Sequence, residues 1–167
     1  ELGRLLVLDR QKLCSKGSLV DLGCGTGAVL AEFSAHFDNS IGIDISQDML
    51  NVAESKNIRD AQWHLEDVFE GDWSGRRHAA VLSRGILLSH YGEDLARLLI
   101  AQTVKALTPG GFALFDFLSM EAPEATKVLA PNKTYFSPEW LIVQAMRVGS
   151  SGAVVAGNPN SRIRYLI

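Results

Sequence analysis

Residues 20–27 read Val20-Asp21-Leu22-Gly23-Cys24-Gly25-Thr26-Gly27, an apolar run that breaks into glycines spaced G-x-G-x-G just before a helical pattern begins. Glycines at such a junction let the backbone turn sharply and let a ligand come within contact distance, while the following helix offers unpaired N–H groups and a positive dipole end. The spacing is tighter than the G-x-G-x-x-G that cradles a pyrophosphate, and Asp21, just before the first glycine, sits poorly beside one. An acid there suits a cationic amine. Asp44 stands twenty-one residues after Gly23, where a carboxylate can accept both hydroxyls of a ribose. Asp67 stands at a third such place, followed by Val68. If three parallel strands end at these acids, Asp21, Asp44 and Asp67 line one crevice. That crevice describes a pocket for a cationic, phosphate-free nucleoside, and both the spacing and Asp21 argue against a nicotinamide-dependent oxidoreductase.

Each chemical candidate has a structural competitor. Cys24, between two glycines, has the form of a nucleophile, yet no base is placed for it and the turn calls for a small apolar residue. Asp67 is a contact for part of such a nucleoside or a solvated loop acid. His90 is a general base for an acceptor's proton, because its ordinary pKa suits neutral pH, or a loop histidine that shapes the pocket. Tyr91, Tyr135 and Trp140 wall an acceptor site or simply pack. Phe115, Phe117 and Leu114 read as core.

The elements that position these residues alternate. Residues 2–16 repeat leucine at near-helical spacing and stop at Lys16-Gly17. Strands are expected over 18–22, 40–45, 61–65, 79–83 and 112–118. Between them lie helices over 27–37, from an N-cap at Ser46, and over 93–107, the last stopped by Thr108-Pro109-Gly110-Gly111. Residues 70–77 are turn-rich. Residues 119–136 have little pattern and two prolines, so a loop with a helical turn around 121–128 is expected, and its length suggests a functional role. Ser137-Pro138-Glu139 opens another helix, running to about Val148. Strands over 153–156 and 162–167, joined by Gly157-Asn158-Pro159-Asn160-Ser161, close the chain as a hairpin. Strand alternating with helix predicts an α/β domain, a doubly wound, mostly parallel sheet with helices on both faces.

At 167 residues and 47% hydrophobic, the chain can bury one sizeable core, so residues 1–167 read as a single domain. Its net charge of −3, with no basic cluster beyond the doublet Arg76-Arg77, lacks the footprint of a nucleic-acid binder. Cys14 and Cys24 have no metal-ligand spacing, so no metal is expected, and reduced thiols fit a cytoplasmic protein. No apolar stretch reaches spanning length and no membrane partner is expected. The first residue is Glu1, so an N-terminal segment is expected to be missing. The sequence carries no signal for oligomeric state.

These motifs together resemble the class I S-adenosylmethionine-dependent methyltransferases, over nearly the whole chain. Residues 20–27 match the family's first motif, Gly42-Ile43-Asp44 its ribose-binding strand end, Glu66-Asp67-Val68 its adenine edge, and 107–118 its fifth-strand segment. The resemblance implies seven strands in the order 3-2-1-4-5-7-6 with strand 7 antiparallel, which agrees with the hairpin read independently. It implies S-adenosyl-L-methionine as cofactor, held by Asp21, Gly23, Cys24, Gly25, Gly27, Asp44, Ile45, Met49, Asp67, Val68, Ser83 and Arg84. Asp44 takes the ribose, Asp67 and the Val68 amide the adenine, and the Ser83 carbonyl the methionine amine. His90 is then the catalytic candidate, and Tyr91 and Tyr135 the acceptor contacts. No Asn-Pro-Pro-Tyr follows the fourth strand and no Pro-Cys nucleophile appears, so direct in-line methyl transfer to a small molecule is expected, with oxygen slightly ahead of nitrogen. The alternative is a non-catalytic regulator or partner subunit that keeps the fold.

Overall fold

The computed structural model describes residues 17–124 and 132–167. Its elements follow the expected alternation: β1 (Ser18–Leu22), α1 (Ala28–Phe33), β2 (Asn39–Asp44), α2 (Gln47–Ser55), β3 (Ala61–Leu65), β4 (His78–Ser83), α3 (Glu93–Ala106), β5 (Leu107–Leu118), α4 (Pro138–Arg147), β6 (Val155–Ala156) and β7 (Ile163–Leu166). The helix read over 2–16, Cys14, and the second half of the helical turn read over 121–128 lie outside the described residues. One sheet is formed in the order β3-β2-β1-β4-β5-β7-β6. Strands β1 to β5 pair in parallel, and β7 runs antiparallel to both β5 and β6. The seven-stranded order and its single reversed strand are those expected. No helix among the described residues is long and apolar enough to cross a membrane.

Strand alternation divides the core in two. Leu19, Ala80, Leu82 and Leu114 pack with Val29, Leu30 and Phe33 of α1. Their strand neighbours Val20, Leu22, Val81, Phe115 and Phe117 pack with Leu99, Ile100 and Leu141 of α3 and α4 on the other face. The same period of two carries Asp21 of β1 and Asp116 of β5 to the α1 face, because each lies two residues from a residue packed there. Asp44, two residues from Gly42 and one from Ile43 of the opposite cluster, joins them at the end of β2. The sheet thus gathers three acids on one face.

Both expected serine caps form. Ser46 Oγ accepts from Met49 N, and Ser137 Oγ from Trp140 N, each at 3.4 Å, with Pro138 at the first helical position. Three expectations are corrected. The helix after the glycine loop is six residues long and tightens into a 3-10 turn at Ser34–His36 instead of continuing to residue 37. Strand β5 begins at Leu107, not 112: Leu107 pairs with His78, then the register jumps so that Phe112 pairs with Ala80. The residues between bulge out, with Gly110 in the left-handed region and Thr108 Oγ1 donating to the His78 carbonyl. The closing strands are shorter than read, since Asn158 turns the chain by accepting from Asn160 N and Ser161 N.

Trp63 of β3 lies across two glycines. A Cβ at Gly42 would stand 2.6 Å from its ring and 2.9 Å from Cys24 Sγ, and one at Gly27 would stand 2.6 Å from the same ring. Gly42→Ala is therefore expected to destabilise the fold by about 1–3 kcal/mol through overpacking. Thermal unfolding checks this, and an unchanged midpoint would mean that the indole swings out freely.

Candidate functional site

The glycine loop is built by β1 and β2 together. Gly23 N and Cys24 N both donate to the Ile43 carbonyl, at 2.8 and 3.0 Å, so the chain leaving β1 is turned against the end of β2. Gly25 (φ 52°) and Gly27 (φ 74°) adopt left-handed backbone that L side chains rarely take. A Cβ at Gly25 would meet nothing within 4 Å, so this loop faces open space. Asp44 fastens it: one carboxylate oxygen accepts from Gly25 N at 2.7 Å and the other from Ser46 N at 2.9 Å. Each oxygen keeps a lone pair for a further donor.

Beside this loop lies a cavity of about 280 Å³ lined by Gly23, Asp44, Ile45, Val68, Arg84, Gly85, Leu87, His90 and Tyr91. A larger cavity of about 460 Å³ runs beside the first half of β5 between α3 and α4, but no ionisable side chain among the described residues lines it. Its walls offer no acid–base chemistry, so the smaller cavity is the candidate site. Its far wall is the turn after β4, bolted to β5. Asp116 accepts from Gly85 N at 3.0 Å and Ile86 N at 2.7 Å. Ile86 is held at φ 59° and ψ 36°, a left-handed conformation that costs a β-branched residue about 1–3 kcal/mol. The two carboxylate bonds hold that strain in place. One turn on, buried Ser89 accepts from Leu118 N through its hydroxyl, at 2.9 Å.

Of the residues read from sequence, Gly23, Asp44, Ile45, Val68, Arg84, His90 and Tyr91 therefore meet at one cavity. Others stand around it. Asp21 is 1% exposed beneath the loop, and neither of its carboxylate oxygens has a hydrogen-bond partner among the described residues. Ser83 is buried and its hydroxyl donates to the Leu22 carbonyl, stitching β4 to β1. Cys24 is buried against Gly42, and Gly27 is buried under Trp63. Met49 is exposed on α2. Asp67 is exposed and turns back to accept from Phe69 N, so the rim of three acids is split among a buried, a lining and an outer carboxylate. Tyr135 is half-buried in the segment leading to α4 and does not line the cavity, and Trp140 stacks on Phe136 at 5.3 Å. Gly85 and Leu87 belong to the segment 83–92 that the family resemblance makes an active-site loop, but neither they nor Asp116 are named as site residues from the sequence. The signal for Asp116 was present, a lone acid within the most apolar strand of the chain.

Burial sets the protonation states. Asp21 is raised from 3.8 to about 8 by desolvation and by the charge of Asp44, with Arg84 opposing. Burial and the two nearby acids push the Cys24 thiol up, away from the nucleophilic thiolate. Asp116 is raised by burial against its two backbone bonds. Burial and the Lys133 charge lower His90, which leaves its imidazole neutral at pH 7, the form that accepts a proton. Tyr91 is raised by burial and by Asp67, so it stays a phenol, and its ring meets Phe69 edge-on at 4.9 Å.

A methyltransferase-domain family model matches residues 19–111, more than half of the chain. The chain is 32% identical over 114 residues to the dTDP-3-amino-3,4,6-trideoxy-alpha-D-glucopyranose N,N-dimethyltransferase of Streptomyces venezuelae, covering 65% of this chain and 46% of that protein. It is also 32% identical over 107 residues to the trans-aconitate 2-methyltransferase of Pseudomonas aeruginosa, covering 63% of this chain and 37% of that protein. The chain thus spans less than half the length of these curated relatives. Among solved structures, the fold is similar to DhpI in complex with SAH, at TM-score 0.73 and 20% identity over 99% of this chain and 79% of that one. It is similar as well to DesVI of Streptomyces venezuelae, at TM-score 0.70 and 20% identity over 99% and 89%. The family match falls on the glycine loop, the Asp44 strand end and the turn after β4, and the chain belongs to the class I S-adenosylmethionine-dependent methyltransferase family.

Proposed function

We propose that the protein transfers a methyl group from S-adenosylmethionine to a small-molecule acceptor by direct in-line displacement. The observation that carries this reading is Asp21, a buried carboxyl with two orphaned oxygens beneath an open glycine loop. Such a group is costly unless a cation completes it. A ligand with an ammonium and a sulfonium, and no phosphate, fits both the orphan and the loop. Asp21 and the Gly23 and Gly25 backbone would hold its amino-acid end, the free lone pairs of Asp44 its ribose, and Ile45 and Val68 the adenine. When bound, this cofactor supplies a methyl carbon already activated by its sulfonium. The chain's own tasks are then to align an acceptor, exclude water and remove a proton. His90, neutral and lining the cavity, takes that proton, while Leu87 and Tyr91 close the wall against water.

For the acceptor atom we keep oxygen slightly ahead of nitrogen, since a neutral imidazole at the wall suits a hydroxyl that must lose its proton. Two relatives named as N,N-dimethyltransferases of amino sugars favour nitrogen as the second reading. Calorimetry with S-adenosylhomocysteine and with NAD tests the cofactor, and binding of NAD alone would sink the proposal. Mass analysis of products from a panel of small hydroxyl, carboxylate and amine compounds then identifies the atom, and no product from any of them would favour the non-catalytic reading.

His90→Ala is expected to lower turnover by about 10²-fold or more while S-adenosylhomocysteine affinity stays within twofold. Wild-type turnover should fall only at acid pH, where an imidazole with a lowered pKa finally protonates, and that acid limb should vanish in the variant. Retained turnover would reduce His90 to a packing residue.

A further inference from the structure

The cavity is electrically polarised. Asp44 lines it, while the acids Asp21 and Asp116 are buried outside its lining. Arg84 and His90 line it and are exposed, so they form its solvent side, and Lys133 is close enough to act on the His90 ring. Neither Arg84 nor Lys133 has a hydrogen bond or ion pair among the described residues, although the chain is acidic overall at −3. Elsewhere Arg59, Arg76, Arg97 and Arg164 each meet a carboxylate. Lys133 is half-buried, which makes an unpaired ammonium there dearer than one in open water.

Both cations sit on a backbone that is fixed in place. Arg84 directly precedes Gly85 and Ile86, the two amides clamped by Asp116. Lys133 directly precedes Thr134, whose N–H donates at 2.9 Å to the carbonyl of buried Ser89, the residue before His90. Phe136 N, two residues further, donates to the Leu118 carbonyl at 2.8 Å. The strained turn after β4 and the segment before α4 are thus sewn to β5 from two sides; the first puts Arg84 in the cavity lining and the second puts Lys133 near His90, each without a hydrogen bond or ion pair among the described residues. Cations so placed draw an anionic group to themselves, on the side of the cavity away from Asp44.

We infer that the acceptor carries an anionic group, a carboxylate or a phosphate, bound at the cavity mouth by Arg84 and Lys133 with its reacting atom toward His90. This inference rests on the methyl-transfer reading and names the substrate class for it. The anionic group anchors the acceptor away from the acids, so the atom to be methylated enters the cavity first. A neutral or cationic analogue of the same shape binds more weakly.

The test uses the full chain saturated with S-adenosylhomocysteine and titrated separately with citrate and with inorganic pyrophosphate, while the His90 imidazole is followed by NMR. An anion on Lys133 offsets the positive charge that acts on His90, so the His90 pKa should rise. Lys133→Glu should weaken anion binding by about 10-fold or more, and Lys133→Gln by less, with S-adenosylhomocysteine affinity unchanged. A response to citrate alone assigns a carboxylate, and one to pyrophosphate alone a phosphate. Anion binding that leaves His90 unmoved, or that Lys133→Glu does not weaken, overturns this inference alone. Failure of S-adenosylhomocysteine to bind overturns the methyl-transfer reading and this inference with it.

Discussion

In the donor-free protein, Asp21→Asn is expected to remove a fall in stability that the wild type undergoes as pH rises from about 4 to about 8, the span between the ordinary carboxyl value of 3.8 and its raised value of about 8 in the fold. In that window the folded state still holds the proton and the unfolded chain has lost it. Folded protein therefore binds more protons, and stability declines with pH by about 1.4 kcal/mol per unit until the folded group also ionises. An asparagine has no such charge to lose. Urea midpoints measured across the window should diverge steadily, the variant keeping more of its stability at the alkaline end. Equal slopes in the two proteins would mean that Asp21 is paired or hydrated. The same substitution should weaken S-adenosylhomocysteine binding by about 10-fold or more, because the ligand's ammonium loses its buried counter-charge. Binding to the wild type below pH 8 should also release a proton, seen as a heat that varies with the buffer's ionisation enthalpy. A residue whose removal steadies the empty fold and harms the loaded one is held for its ligand.

Asp44→Ala should produce the largest loss of affinity, about 10²-fold for S-adenosylhomocysteine, since a carboxylate hydrogen bond is worth about 1.5–3 kcal/mol and each of its oxygens keeps a lone pair beyond its backbone bond. The structure adds a second consequence. This carboxylate also holds Gly25 N and Ser46 N, so the alanine variant should loosen the glycine loop and cost about 1–3 kcal/mol of stability. Calorimetry reads the first effect. Faster hydrogen exchange at the Gly25 and Ser46 amides reads the second. Asp44→Asn separates the two, because an amide oxygen can still accept from one backbone N–H while its NH₂ opposes the other. Unchanged affinity in the alanine variant would remove Asp44 from the site, whatever happens to the loop.

Much of the frame was legible because its causes are local. Strand β1 at Ser18–Leu22, strand β3 at Ala61–Leu65 and the serine caps at Ser46 and Ser137 follow from apolar runs, turn residues and short polar side chains within a few positions of each element. The sheet order came with the family resemblance, and the closing hairpin from Gly157 to Ser161 supported it from the residues alone. The start of β5 was misplaced because Thr108-Pro109-Gly110-Gly111 has the chemistry of a helix stop and a turn. Only pairing with His78 and Ala80 draws those residues into the strand as a bulge.

What the sequence determined by itself was therefore the alternation of elements, the glycine loop, and the chemical kinds of group available to it: acids before and beside the loop, a histidine and aromatics after the fourth strand. Their places relative to one another came only with the tertiary structure. Asp21, Asp44 and Asp67 look equivalent along the chain, yet burial in the sheet isolates the first, two backbone amides engage the second, and the third folds back on its own turn. Asp116 lies about thirty residues from the amides it clamps, and Thr134 forty-five from Ser89. Spacing within one element carries no information about such partners. Desolvation and the field at a cavity mouth depend on every strand that packs around them, so the polarity of this site exists only once the sheet has closed.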